Sequence, residues 1–374
     1  MKNNGITEYF EEVETEKEYD RYFCRIPEII TIMIIGCMCG LKNVRQIHQW
    51  ASNDRVSEFL KEEFGIGHMP CYYWILCMLQ MIKTTTLNQC FVKRVYSFMP
   101  EKSKNLAISL DGKTIRSTNR IEKIENPLHI ISAQVSEPGL TLAQRSTDDK
   151  SNEISAVQEL LKELNIKGHI VVADALNCQK ETAKIIVNQK ADYLFCVKDN
   201  QPNLKKDIED FIQDKMLENC LEIISKTEKN YGRIETRTAC VTSDIDWLEQ
   251  KKDWGNLCCI GAIHTEFQTK KGTSSEYGHY YISSRKLTAE QLLHHARMEW
   301  SVESKHWLLD VHFEEDWCLI ENKEVQQHLN MFCKAAINLV KIFKSKTDCK
   351  KPISNIMSDC LIDFNSILRV VEQN

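Results

Sequence analysis

Between residues 106 and 220 the hydrophobic pattern switches back and forth between two periods, and the order of the switches narrows the fold. In LAISLDG (106–112), Leu106, Ile108 and Leu110 alternate with Ala107 and Ser109, as in a strand. Two further strand-like runs, 128–136 and 140–147, are joined by Glu137-Pro138-Gly139, which has the composition of a tight turn, so a hairpin is expected. Next come an amphipathic helix at 154–164 with Ser151 and Asn152 as cap candidates, and a short apolar strand, HIVVADA, at 169–175. A helix (179–190), a strand (193–198) and a charged helix (204–220) complete the run. Three hairpin-capable strands followed by helix–strand–helix–strand predict an α/β class: a mixed sheet flanked by helices.

On either side the pattern differs. Residues 26–99 read as helices throughout, beginning with an apolar run at 29–41 preceded by Pro27, and predict a small all-α domain. That run has 13 residues, too short to span a bilayer. Residues 1–20 are crowded with glutamates and predict a solvated helix; 100–105 read as a linker. From 221 to 284 strand-like alternation returns in RIETRTACV, LCCIGAIHTEF and EYGHYYISS, an all-β insertion. Helix resumes at a T-x-x-Q capping box, Thr288 to Gln291, and is expected to run through 311. A last helix covers 325–343, leaving 346–374 as a C-terminal tail.

A formal charge of −5 excludes a protein coated in basic surface, so any nucleic-acid contact must be made through local patches. The sixteen cysteines are scattered without CxxC spacing and sit mostly in apolar runs, which argues against zinc. With no signal peptide to be read, a reduced, cytoplasmic setting is the simplest expectation.

The chemistry concentrates on carboxylates. Asp111 ends one strand in an Asp-Gly turn, with Lys113 and Arg116 just beyond, and Asp174 ends HIVVADA in the same way. Taken alone, each is as well explained by an ordinary strand end. Together they place two carboxylates at one sheet edge, and Glu303 on the helix after the β insertion offers a third. Such a set suits hard divalent cations, which take oxygen ligands. Lys198, Asn200 and Gln201 end the 193–198 strand and could hold a phosphate or simply cap the loop before the next helix. Lys113 and Arg116 could contact a phosphate or neutralise carboxylates. Trp300 and Trp307, seven apart, could stack on bases but fit a shared buried face better, and His306 reads as a packed histidine.

These blocks, in order, carry a resemblance: ISLDGKTIRST (108–118), LHIISAQV (128–135), KSNEISAVQELL (150–161), VADALNCQKETAKII (172–186) and ADYLFCVKDNQPNL (191–204). YGRIETRT (231–238), WSVESKHWLLDVHFEED (300–316) and LNMFCKAAINLVK (329–341) complete the set. The chain resembles bacterial DDE transposases of insertion sequences, of the H-repeat-associated type. That resemblance implies a ribonuclease-H-like catalytic domain at 106–345, interrupted by the β-rich insertion, behind a transposase-associated helical domain at 1–99. It implies that Asp111, Asp174 and Glu303 form a catalytic triad binding two Mg²⁺, with Mn²⁺ as a substitute. The implied reaction is cleavage and strand transfer at an element's terminal inverted repeats. The implied partner is double-stranded DNA, at element ends and target, with no membrane and with a homodimer on DNA left open. Arg233, Arg237 and Arg297, with Lys270 and Lys271, are candidate DNA contacts beside Lys113, Arg116, Lys198, Asn200 and Gln201.

The pattern departs from that of the wider insertion-sequence group at two places, one of them MPCYYW at 69–74, where a more polar, Ser- or Thr-containing turn is expected, and the other around the glutamate. Where a Tyr, an Arg and a Lys flank the glutamate there, this chain has Ala296, Glu299 and Asp310, with Arg297 nearby. A catalytically silent DNA-binding relative and a metal-dependent nuclease without strand transfer therefore stand as alternatives.

Overall fold

The computed structural model describes residues 5–17, 24–99, 105–116, 127–147, 152–214, 221–230, 233–268, 272, 274–300, 302–318 and 320–372; within these, side chains are not described at 230, 274–277, 299–300 and 302–306. In chain order its helices begin with α1 (Gly5–Glu8), α2 (Ile26–Met38), α3 (Val44–Ala51), α4 (Asp54–Phe64), α5 (Tyr72–Met81) and α6 (Thr84–Ser97). Strands β1 (Ala107–Thr114), β2 (His129–Val135) and β3 (Leu140–Thr147) come next. They are followed by α7 (Glu153–Glu163), β4 (Ile170–Ala173), α8 (Lys180–Asn188), β5 (Asp192–Val197) and α9 (Pro202–Gln213). The insertion supplies β6 (Glu222–Asn230), β7 (Arg233–Thr242), β8 (Cys259–Gln268) and β9 (Ser274–Ser283). Helices α10 (Ala289–Trp300), α11 (Val302–Phe313), α12 (Lys323–Thr347), α13 (Ile353–Ile362) and α14 (Phe364–Glu372) close the chain. The chain is a mixed α/β protein, and no described helix is long and apolar enough to cross a membrane.

Two compact units divide it: Met1–Ser103 with Gly112–Ala156 and Glu303–Asn374, and Lys104–Asp111 with Val157–Val302. Strand β1 belongs to both, residues 107–111 to the second unit and 112–114 to the first.

The first unit is built around α2 and α12. Helix α2 is apolar around its whole circumference and buried along nearly its whole length, as such a helix must be to leave water. Its neighbours include α12, whose residues from Val325 to Val340 are buried without a break. The segment 346–374, expected as a tail, forms α13 and α14 instead. Cys360, Ile367 and Val370 bury into the same core as α2, so these two short amphipathic helices are part of the unit's interior.

Strands β2 and β3 pair antiparallel across the expected turn. Strand β3 is an edge strand, and two asparagines satisfy its outward backbone. Asn88 of α6 accepts from Gln144 N at 3.1 Å and donates to Gln144 O at 2.8 Å. Asn338 of α12 does the same for Thr141, at 3.0 and 2.9 Å. Each side-chain amide stands in for a strand partner, which is how a polar edge is buried without orphaned groups.

In the second unit the strands run in the order β1-β4-β5-β9-β8-β7-β6. β1, β4 and β5 are parallel; from β5 through β9, β8, β7 and β6 every pairing is antiparallel. Ile170 and Val172, with Leu194 and Cys196 on the next strand, share a face covered by Leu292, Leu293 and Ala296 of α10. The expected capping box starts that helix: Thr288 N donates to Gln291 Oε1 at 3.0 Å, and Gln291 N to Thr288 Oγ1 at 3.2 Å. The single helix expected from 288 to 311 is divided into α10 and α11, and residue 301 between them lies outside the described residues.

Candidate active site

In the second unit the register of the parallel strands sets the geometry. Ala107 to Leu110 of β1 lie opposite Ile170 to Ala173 of β4, so one step further places Asp111 opposite Asp174. Parallel neighbours lie about 4.8 Å apart, so the register sets the two residues side by side on adjacent strands. Alternation assigns both to the face that α10 covers, since Ala107, Ile170 and Val172 are core residues on that face. Asp111 is half-buried and Asp174 exposed. Asp174 Oδ1 accepts from the backbone N and the Nδ2 of buried Asn177 at 3.2 and 3.1 Å, which fixes its carboxylate before α8 begins.

Strand β5 ends at the same edge. Lys198 is exposed there, while Asn200 Nδ2 donates to Ala175 O at 2.6 Å and Gln201 Nε2 to Cys178 O at 3.1 Å. The two amides thus tie the β5–α9 loop to the loop carrying Asp174. Of the three residues, Lys198 is the exposed cation.

The arginines of the second unit are committed to carboxylates. Glu228 and Glu235 lie directly opposite one another on β6 and β7, a pairing that repels unless cations intervene. Arg237 pairs with both, Arg233 with Glu235, and Arg297 of α10 with Glu228. Arg297 foremost, then Arg237, holds the Glu228 carboxyl below its ordinary range. Lys270 and Lys271 lie outside the described residues.

In the first unit, Lys113 is held by acids. Its Nζ lies 2.6 Å from Asp310 Oδ1 on α11 and 2.5 Å from Glu315 Oε2. Burial works against its charge, yet Glu315, Asp310 and Asp316 keep its pKa above the ordinary lysine value. Arg116 donates its backbone N to Asp316 Oδ1 at 3.0 Å, and its guanidinium is largely exposed. Of the two roles open to these cations, Lys113 takes carboxylate neutralisation. Trp307 is 60% exposed, so it does not contribute to a buried face as expected; the side chains of Trp300 and His306 lie outside the described residues. Glu303 sits in the first turn of α11, seven residues and close to two turns before Asp310, and its side chain is likewise outside the described residues.

Sequence reasoning missed one group. His129, Glu153 and Thr114 form a buried chain of hydrogen bonds directly behind Gly112, the residue after Asp111. The signal was present, because His129 and Glu153 fall in two of the resembling blocks, but neither residue type there announces a partner.

Among the described residues no group of three His, Cys, Asp or Glu side chains is gathered as for a metal. The two aspartates nevertheless fit the hard-oxygen chemistry of Mg²⁺.

The family described as "Transposase DDE domain" matches residues 103–339. The H repeat-associated putative transposase YhhI of Escherichia coli (strain K12) is 32% identical over 332 residues, covering 86% of this chain and 87% of that protein. The putative transposase YncI of Escherichia coli O157:H7 is 29% identical over 365 residues, covering 94% and 89%. The putative protein YbfL of Escherichia coli (strain K12) is 32% identical over 332 residues, covering 86% and 87%. On the family match and the extent of these alignments, the chain belongs to the DDE transposases, of the H-repeat-associated type.

Proposed function

We propose that this transposase cuts DNA at the terminal inverted repeats of an insertion sequence and joins the freed ends to a target, using a ribonuclease-H-like core. The observation that supports this best is the register of β1 and β4, which pairs Leu110 with Ala173 and so sets Asp111, the next residue along β1, level with Asp174 just past the end of β4. Asp111, Asp174 and Glu303 are the residues proposed to hold two Mg²⁺, with Mn²⁺ as a substitute. Bound there, the ions would activate a water or a 3′-hydroxyl and stabilise the leaving oxygen of an in-line displacement. The chain's own contribution is placement. Asn177 orients the Asp174 carboxylate, and the Asn200 and Gln201 amides hold the loop that carries it. Lys198, exposed at the same edge, is positioned to meet a phosphate. Double-stranded DNA is the proposed partner, bound through such local cations because the chain as a whole is acidic.

The test uses duplexes carrying the matched repeats that flank the gene, beside duplexes with the repeats scrambled. Nicking at the repeat boundary with Mg²⁺, its loss with EDTA, and joined products with target DNA are expected. Cutting without joining favours the nuclease reading, and binding without cutting favours the silent relative.

A further inference from the structure

We propose that His129 and Glu153 are positioning residues: a buried polar seat that pins the backbone at Gly112 and so orients the adjacent Asp111. The inference rests on the reading of Asp111 as a metal ligand. His129 and Glu153 are almost fully buried, at 2% and 4% exposure, with Nε2 2.9 Å from Glu153 Oε2. A carboxylate accepts, so Nε2 carries the hydrogen. The other ring nitrogen, Nδ1, is hydrogen-bonded to Thr114 Oγ1 on β1 at 2.8 Å.

A buried ionisable pair is a costly way to join two elements, since apolar residues of the same volume hold them as well or better. What the pair adds is a fixed location, and that location is Gly112. A Cβ there would lie 2.6 Å from His129 Nε2 and 2.8 Å from Glu153 Oε2. The pair therefore occupies the space where a side chain would stand. Because each of those atoms is bonded to the other, neither can swing aside.

Gly112 and Thr114 share one face of β1, and Asp111 and Lys113 alternate to the other. The chain of hydrogen bonds thus grips the strand at two successive positions on the side away from the carboxylate. Metal sites tolerate misplacement of only about 0.5 Å, and groups that orient a ligand typically account for about 10–100-fold in affinity.

The test is a titration of the full chain with Mn²⁺ alone, following the free ion by electron paramagnetic resonance, with a melting curve for each protein. Gly112→Ala and Thr114→Val are each expected to weaken Mn²⁺ binding about tenfold. Thr114→Ser, which keeps the hydroxyl, should restore it, and Asp111→Asn should lose it. A purely structural role would lower the melting temperature and leave the affinity of the folded protein unchanged. Should Gly112→Ala fail to fold, Thr114→Val, conservative in volume at a half-buried site, decides the matter. Loss of Mn²⁺ in Asp111→Asn with wild-type affinity in Thr114→Val would overturn the seat alone. Wild-type affinity in Asp111→Asn would overturn the metal reading, and the seat with it.

Discussion

Lys113 Nζ lies 2.6 Å from Asp310 Oδ1, joining the strand that carries Asp111 to the helix that begins beside Glu303. At the offset from the glutamate where the resemblance implies a lysine, this chain has an acid, Asp310, and its cation comes from β1.

That ion pair carries a stability prediction. Glu315 and Lys113 are both enclosed, so Lys113→Met leaves a buried carboxylate without its cation. We expect a loss of about 2–4 kcal/mol in urea unfolding, below the cost of breaking a fully enclosed pair because Asp310 still reaches water. Adding Glu315→Gln to Lys113→Met should recover part of it. If the double variant is as unstable as the sum of the two singles, the pairing is not what holds this corner.

The strand-mimicking asparagines make a sharper case. Asn88→Ala strips both the donor and the acceptor from Gln144 in a buried setting. Each orphaned backbone group costs about 1–3 kcal/mol, so a loss of about 2–4 kcal/mol is expected. Asn88→Asp keeps the acceptor alone and should fall lower in thermal melts than the wild type. A melt unchanged by Asn88→Ala would mean that water satisfies the edge of β3.

Acid should destabilise both units. Burial first of all lowers the pKa of His328 from 6.5 to about 4, with Nδ1 donating to Leu79 O and Nε2 accepting from Thr84. Burial, then the neighbouring charges of His294 and Arg285, lowers His295 from 6.5 to about 4. Between those limits the unfolded chain binds protons that the folded chain refuses. The stability these histidines contribute is therefore whole above about pH 6.5 and declines as pH falls toward 4, by at most about 1.4 kcal/mol per unit for each. Melting temperatures across pH 4.5 to 7.5 check the sign, and His328→Gln should flatten the slope.

DNA affinity should fall steeply with salt, and the cations should not count equally. Lys198→Ala is expected to reduce the log–log slope by about 0.9, the share of one phosphate. Arg237→Ala should change it little, because Arg237 is already spent on Glu228 and Glu235. Equal effects from the two would show that the arginine network opens onto DNA.

Much of this was legible in the residues, because periodicity and strand-end chemistry are local. The strand before Asp174, the β2–β3 hairpin and the Thr288–Gln291 cap all follow from short-range pattern, whereas β1 runs on through Thr114 instead of ending in the Asp-Gly turn expected at Asp111. What escaped depends on partners far along the chain. Strand β6, EIISKTEKN, is polar on most positions and leaves Ile223 exposed, so its own alternation is weak and pairing with β7 defines it. Helices α13 and α14 are too short to stand out until Cys360 and Ile367 meet the core around α2. The occupation of Arg233, Arg237 and Arg297 follows from Glu228 facing Glu235, a register that no single strand discloses.

The most direct measurement compares cleavage and binding by Asp111→Asn and Asp174→Asn on a duplex carrying the element's ends. Each change keeps size and most hydrogen bonding while removing a ligand charge. Cleavage and joining should fall together by several orders of magnitude (about 10³-fold or more), because metal ions do most of the chemistry. End binding should survive, since phosphate-neutralising cations supply most of that affinity. Cleavage retained by Asp111→Asn would contradict the two-metal account.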